Sequence, residues 1–127
     1  GIFEFGDNCV IASVPQDKME GGYKYFYNKL LETYKPEDIM VLSPTKKGNL
    51  GTFKVNSELQ TIVNPENEAK VEMKIGKDPE VIFRNSDYVM NVVNTYNIEN
   101  VNEQEVNIVN GDVGIIENIN RTGSLPN

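Results

Sequence analysis

The residues best placed to do chemistry are Ser43-Pro44-Thr45-Lys46-Lys47-Gly48-Asn49-Leu50-Gly51-Thr52. An apolar stretch precedes them and a helical period follows. Two lysines and two glycines therefore sit where free N–H groups at a helix start attract an anion. The chemistry that suits this layout is phosphate contact, with Ser43, Lys46, Lys47, Gly48 and Thr52 as candidate residues. It is not a P-loop, which needs Gly-x-x-x-x-Gly-Lys-Ser/Thr with the lysine at the helix start; here both lysines precede Gly48. A surface turn with solvated lysines fits the same letters, and Thr52 also reads as an N-cap.

Other chemistries are excluded by composition. The chain has no His, which removes Ser-His-Asp and Cys-His catalysis and His-ligated zinc. Its single cysteine, Cys9, removes an internal disulfide and a Cys₄ zinc site, and within an apolar run it reads as an inert core residue. Asp87, Asp112 and Glu117 lie on separate turns without the spacing of a cation loop. No two acids share an apolar context that would raise a pKa, which argues against a carboxylate-pair hydrolase.

The elements that must position the lysine loop come next. Cys9 to Val14 is a short apolar run ended by Pro15, which fits a strand covered on both faces. Tyr23, Phe26, Tyr27, Leu30, Leu31 and Tyr34 recur at helical spacing, with a possible cap at Asp17 and a stop at Pro36. At that spacing the aromatics read as core packing rather than base stacking. Asp38 to Leu42 is a second buried strand, so strand, helix and strand compose a βαβ unit with parallel strands. After the lysine loop, Val55, Leu59 and Ile62 share one face of a helix stopped by Asn64-Pro65.

Residues 66 to 80 are charged and read as an exposed excursion or irregular hairpin. From Val81 the pattern turns to strands: Val81 to Phe83, Tyr88 to Tyr96, Val106 to Val109 and Val113 to Ile119. Asn110-Gly111 between the last two predicts a type I′ hairpin turn. Short strands joined by Asn, Asp and Gly turns predict a small barrel.

The 127 residues fit one modest domain or two small pieces. The formal charge of −7 argues against nucleic-acid binding through overall charge. That charge is uneven: residues 1 to 64 carry 7 basic and 8 acidic groups, residues 65 to 127 carry 5 and 11. A local phosphate contact is therefore least opposed in the half that holds the lysine loop. No apolar run approaches the ~20 residues of a membrane span, and no basic-then-apolar signal opens the chain, so the expectation is a soluble protein of a reducing cytoplasm, with no membrane partner.

Val41 to Thr52, followed by Asn56, Leu59, Gln60, Asn64 and Pro65, resembles a stretch of the RecD-type superfamily 1 DNA helicases, the exonuclease V alpha-subunit family. Their pattern is a strand, Ser-Pro-x-Arg/Lys-x-Gly-x-x-Gly, then Leu-Asn-x-x-Leu-Gln and Asn-Pro; Val55 replaces the usual Leu. A second block agrees: Asp87-Tyr88-Val89-Met90, Asn94-Thr95-Tyr96-Asn97, and Val109-Asn110-Gly111-Asp112-Val113-Gly114 resemble the family's Gly-Asp-x-Val-Met, Asn-x-Tyr-Asp and Phe-Asn-Gly-Asp-x-Gly. The resemblance covers roughly residues 39 to 120. It departs at Asn85-Ser86, where Val-Gly is expected, at Asn97, where Asp is expected, and at 98 to 105, which read as extra loop.

The resemblance implies α/β plus a small β-barrel: a partial RecA-like second motor domain over 1–65, then an inserted SH3-like barrel over 66–127. It implies an excised region of an ATP-dependent DNA helicase for unwinding, repair and recombination. ATP and Mg²⁺ belong to the parent protein and neither is expected in this fragment. Its implied partners are single-stranded DNA, the other motor domain and subunits of a nuclease complex. Ser43, Lys46, Lys47, Gly48 and Thr52 are then placed near nucleotide or DNA phosphates, and Asn56, Gln60, Asn94 and Tyr96 are DNA-contact candidates. Lys46 stands where relatives often carry Arg, and a lysine lacks the bidentate fork. Walker A and B are absent from this stretch, so the chain alone is expected not to hydrolyse ATP. A competing expectation is a stand-alone SH3-like module that binds a protein or single-stranded nucleic acid without catalysis.

Overall fold

The structure, a computed structural model, describes residues 1–100 and 102–120. Among the described residues it is a mixed helix and sheet arrangement in which every sheet is small and antiparallel. The chain divides into two compact units, Gly1–Leu59 and Gln60–Asn127.

The first unit opens with two strands, β1 (Ile2–Phe5) and β2 (Cys9–Ala12), paired antiparallel with Phe5 opposite Cys9. Gly6 makes the reversal possible, because its φ of 67° lies in the left-handed region. This corrects the expected buried parallel strand: Cys9 to Ile11 form half of an exposed hairpin, and Cys9 is itself exposed. Helix α1 (Met19–Leu31) follows a short 3₁₀ turn at Gln16–Lys18, and Gly21 and Gly22 lie inside it. Asp17 falls in the 3₁₀ turn rather than at the cap, which is Lys18. Of the aromatic stripe, Tyr27 is buried while Tyr34 is exposed beyond the helix end.

The expected strand at Asp38 to Leu42 is absent. Pro36–Asp38 make a 3₁₀ turn, and Met40 and Leu42 are 69% and 84% exposed. With no strand at Asp38 to Leu42 to lie beside β2, whose only ladder is the antiparallel one with β1, no βαβ unit forms among the described residues. Helix α2 (Thr52–Val63) forms as its spacing predicts, burying Val55 and Leu59. Asn64 and Pro65 follow it.

In the second unit, β3 (Glu72–Ile75) and β4 (Val81–Arg84) make a hairpin with Met73 opposite Phe83. Strand β5 (Tyr88–Met90) pairs with β8 (Val113–Ile115), and β6 (Thr95–Glu99) pairs with β7 (Glu105–Ile108). Among the described residues these two-stranded sheets do not close into a barrel. Asn110-Gly111 is a turn, but not the one expected. Only Gly111 has a positive φ, at 99°, and the Asp112 N–H donates to the Val109 carbonyl at 3.0 Å, which is type II geometry. It hands the chain from one ladder to another instead of closing a β7–β8 hairpin.

Candidate functional site

The lysine loop is folded by its own backbone. Ser43 Oγ donates to the Leu50 carbonyl at 2.5 Å, drawing the loop's two ends together. Gly51 N–H donates to the Gly48 carbonyl at 3.1 Å, Thr52 N–H to Thr45 at 3.0 Å, and Phe53 N–H to Lys46 at 3.4 Å. The carbonyl of Gly51 accepts Val55 N–H, so Gly51 is the N-cap of α2 and Thr52 is its first helical residue. Two of the N–H groups that phosphate would seek at the helix start, those of Thr52 and Phe53, are thus engaged by loop carbonyls. What the loop offers outward is charge, since Lys46 and Lys47 are both exposed.

Both glycines have geometric work there. Gly48 has a φ of 88°. A Cβ on Gly51 would lie 2.5 Å from the Lys47 carbonyl oxygen and 2.6 Å from that of Lys46. Ser43 and Gly48, phosphate-contact candidates by sequence, also serve the construction of the loop. Thr52, read by sequence as an N-cap or a ligand, is not the cap, which falls on Gly51.

Behind the loop, α1 and α2 share an ion cluster. Lys24 and Lys54 each place Nζ 2.7 Å from a Glu58 carboxylate oxygen, and Lys24 also lies 3.7 Å from Glu20. The hydrogen bonds from Lys24 and then Lys54 hold the Glu58 carboxyl at about 2, below its ordinary 4.5. Nearby, Tyr23 Oη is buried with no hydrogen-bond partner, and burial raises its pKa. A depressed carboxyl stabilises the fold above its unfolded value and ceases to do so as pH falls. Wild type is therefore expected to lose stability between about pH 4.5 and about 2. In that window Glu58→Gln is expected to lack this component, and at neutral pH to cost the ~0.5 kcal/mol of a screened pair, as acid titration of the circular dichroism signal measures.

The second unit contains a larger polar cluster, which sequence reasoning missed as a cluster. Gln60 Nε2 donates to Asp87 Oδ2 at 2.7 Å and to the Ile82 carbonyl at 2.9 Å. Asn64 Nδ2 donates to Asp87 Oδ1 at 2.7 Å and to the Asn85 carbonyl at 2.9 Å. Arg84 N–H donates to Asp87 Oδ2 at 2.8 Å. The Arg84 guanidinium pairs with Glu72 at 2.5 Å and reaches the Asn64 carbonyl at 2.7 Å, while Lys70 Nζ caps Asn64 Oδ1 at 2.5 Å. Asn64, Arg84 and Asp87 are buried. Such charges are tolerated there because each makes several hydrogen bonds, three to the Asp87 carboxylate and three from the Arg84 guanidinium.

The DNA-contact candidates divide accordingly. Gln60 is committed to Asp87, and Asn94 Oδ1 accepts the Asn110 N–H at 2.7 Å. Asn56 is exposed on α2, and Tyr96 is 60% exposed on β6. Asn56 thus lies in one unit, and Gln60, Asn94 and Tyr96 lie in the other. Among the described residues, no group of three or more His, Cys, Asp or Glu is arranged to hold a metal, and no helix is long and apolar enough to cross a membrane. No family model matches the chain, and no solved structure matches it.

Proposed function

We propose that these residues are part of an ATP-dependent DNA helicase of the RecD type, in which Lys46 and Lys47 contact phosphate and the chain contributes to holding single-stranded DNA. The observation that carries this reading is the polar cluster. Gln60 and Asn64 belong to the first stretch of resemblance and Asp87 to the second, and the three letters meet through 2.7 Å hydrogen bonds. A chance likeness in two separate stretches gives no reason for their marked residues to touch. Ser43, Gly48 and Gly51 support the same reading, since the pattern Ser-Pro-x-Lys-x-Gly-x-x-Gly is what this loop needs to close.

The finer architecture belongs to the same proposal: a RecA-like segment that completes its sheet within the parent motor, followed by an SH3-like insertion. ATP and Mg²⁺ are bound by the parent enzyme, in the cytoplasm, where the work is unwinding in repair and recombination. In that setting Lys46 acts as a point charge beside phosphate, and the two engaged ends of the loop hold it at the start of α2.

The test is fluorescence anisotropy with labelled single-stranded DNA at several salt concentrations. The double change Lys46→Ala, Lys47→Ala is expected to weaken binding about tenfold. It is also expected to reduce the salt slope by about 1.4, the value for two single-strand phosphate contacts at ~0.7 each. Binding and slope equal to wild type would remove the loop from the reading. DNA-stimulated ATP hydrolysis by this chain alone would contradict the assignment to a region without the phosphate-cradling segments.

A further inference from the structure

The turn Val109-Asn110-Gly111-Asp112 joins β7 to β8 and is clasped to the segment that follows β5. Gly111 N–H donates to the Asn91 carbonyl at 2.8 Å, Asn91 N–H donates to the Asp112 carbonyl at 2.8 Å, and Asn110 N–H donates to Asn94 Oδ1 at 2.7 Å. Both Asn110 and Gly111 are exposed. Around Gly111 there is open space, with nothing within 4 Å of where a Cβ would stand.

We infer that Asn110 is a site of spontaneous deamidation whose rate is set by the hydrogen bond from Gly111 N–H to Asn91. An asparagine followed by glycine carries its own nucleophile. The Gly111 amide nitrogen loses its proton and bonds to Asn110 Cγ, the Cγ–Nδ2 bond breaks, and Nδ2 leaves as ammonia after gaining a proton. Water then opens the five-membered imide to aspartate or isoaspartate, so the net change is water in and ammonia out. No side chain at position 111 obstructs the attack. The folded chain resists it because the attacking nitrogen is tied to a carbonyl within a type II turn, and it must leave that partner before it can ionise and the backbone can rotate it inward.

Local opening of the short β5–β8 ladder, with only three residue pairs, releases the nitrogen. The product adds a carboxylate two residues from Asp112, in the half of the chain that is already acidic. The isoaspartate form also inserts a methylene into the main chain of a four-residue turn. Modification thus disfavours the clasp that delayed it, and the turn once opened does not reclose in its original form.

Peptide mass mapping of the full chain, incubated at pH 8 and 37 °C with and without 8 M urea, tests this. In urea the +1 Da product is expected to accumulate at Asn110 before any other asparagine. Without urea it is expected at the same residue about tenfold more slowly, the protection set by local opening. Asn91→Pro, which deletes the N–H that holds the Asp112 carbonyl, is expected to bring the folded rate towards the urea rate. Folded and unfolded rates within twofold of each other would overturn the gating. An absence of product at Asn110 in urea would overturn the site itself.

Discussion

Asp87→Ala is expected to destabilise the Gln60–Asn127 unit by about 3 kcal/mol, measured as a fall in urea midpoint at unchanged slope. The carboxylate accepts from Gln60 Nε2, Asn64 Nδ2 and the Arg84 N–H. A buried donor left without an acceptor costs about 1–3 kcal/mol. The two side-chain amides retain second acceptors, the carbonyls of Ile82 and Asn85. The Arg84 N–H has no such substitute in the geometry, and the alanine leaves a gap that water must fill. These terms place the total near the sum of one full loss and two partial ones.

Asp87→Asn separates shape from charge. The replacement keeps the volume but turns one acceptor oxygen into a donor, facing either the Gln60 and Arg84 pair or Asn64. Its expected cost is intermediate, about 1–2 kcal/mol. Asp112→Ala is the control. Asp112 Oδ2 accepts a single exposed bond from Val109 N–H at 2.8 Å, so its loss is expected to stay within about 1 kcal/mol. Equal effects at positions 87 and 112 would mean that the buried cluster does not hold the unit together.

The helices were legible because their information is local. Val55, Leu59 and Ile62 recur at the helical period, and Asn64-Pro65 marks the stop within a residue of where α2 ends. The strands starting near Val81, Val106 and Val113 were legible for the same reason, although β8 stops at Ile115 instead of Ile119. The single strand expected over Tyr88 to Tyr96 is instead broken at residues 91–94 into β5 and β6, which lie in different sheets. Which strand pairs with which was not legible. The turn letters Asn110-Gly111 announce a reversal, but β5 and β6 supply the ladders that β8 and β7 join. Cys9 shows the reverse error: an apolar run reads as core only if something covers it, and Cys9 to Ile11 of β2 are exposed, with only Ala12 half-buried.

The candidate site follows the same division. The lysines were legible from type and spacing. The contacts between Gln60, Asn64 and Asp87 span 27 and 23 positions and leave no periodicity, so no local rule retrieves them. Their only sequence trace was membership in the two stretches that resemble one family. Motif letters that looked like ligand contacts serve first to build the scaffold, and the residues left facing outward are the ones to test for DNA.

Gly51→Ala is expected to be the most damaging change in the lysine loop, although alanine is the smallest substitution. Its Cβ would stand 2.5 Å from the Lys47 carbonyl oxygen and 2.6 Å from the carbonyl carbon and oxygen of Lys46, all main-chain atoms that no rotamer can clear. The loop must shift to admit it, at a cost of about 1–3 kcal/mol for overpacking. The same shift pulls the Thr45 and Lys46 carbonyls away from the Thr52 and Phe53 N–H groups they occupy. Gly48→Ala provides the contrast. It meets open space, and its φ of 88° costs an L-residue about 1 kcal/mol without displacing a neighbour. Thermal unfolding should rank the two variants in that order. DNA binding should then reveal what the loop contributes. If its shape aims Lys46 and Lys47, Gly51→Ala weakens single-stranded DNA binding as much as removing both lysines, at temperatures where the variant remains folded. If affinity survives the loss of shape, the lysines act as mobile point charges, and the closed loop serves the start of α2 alone.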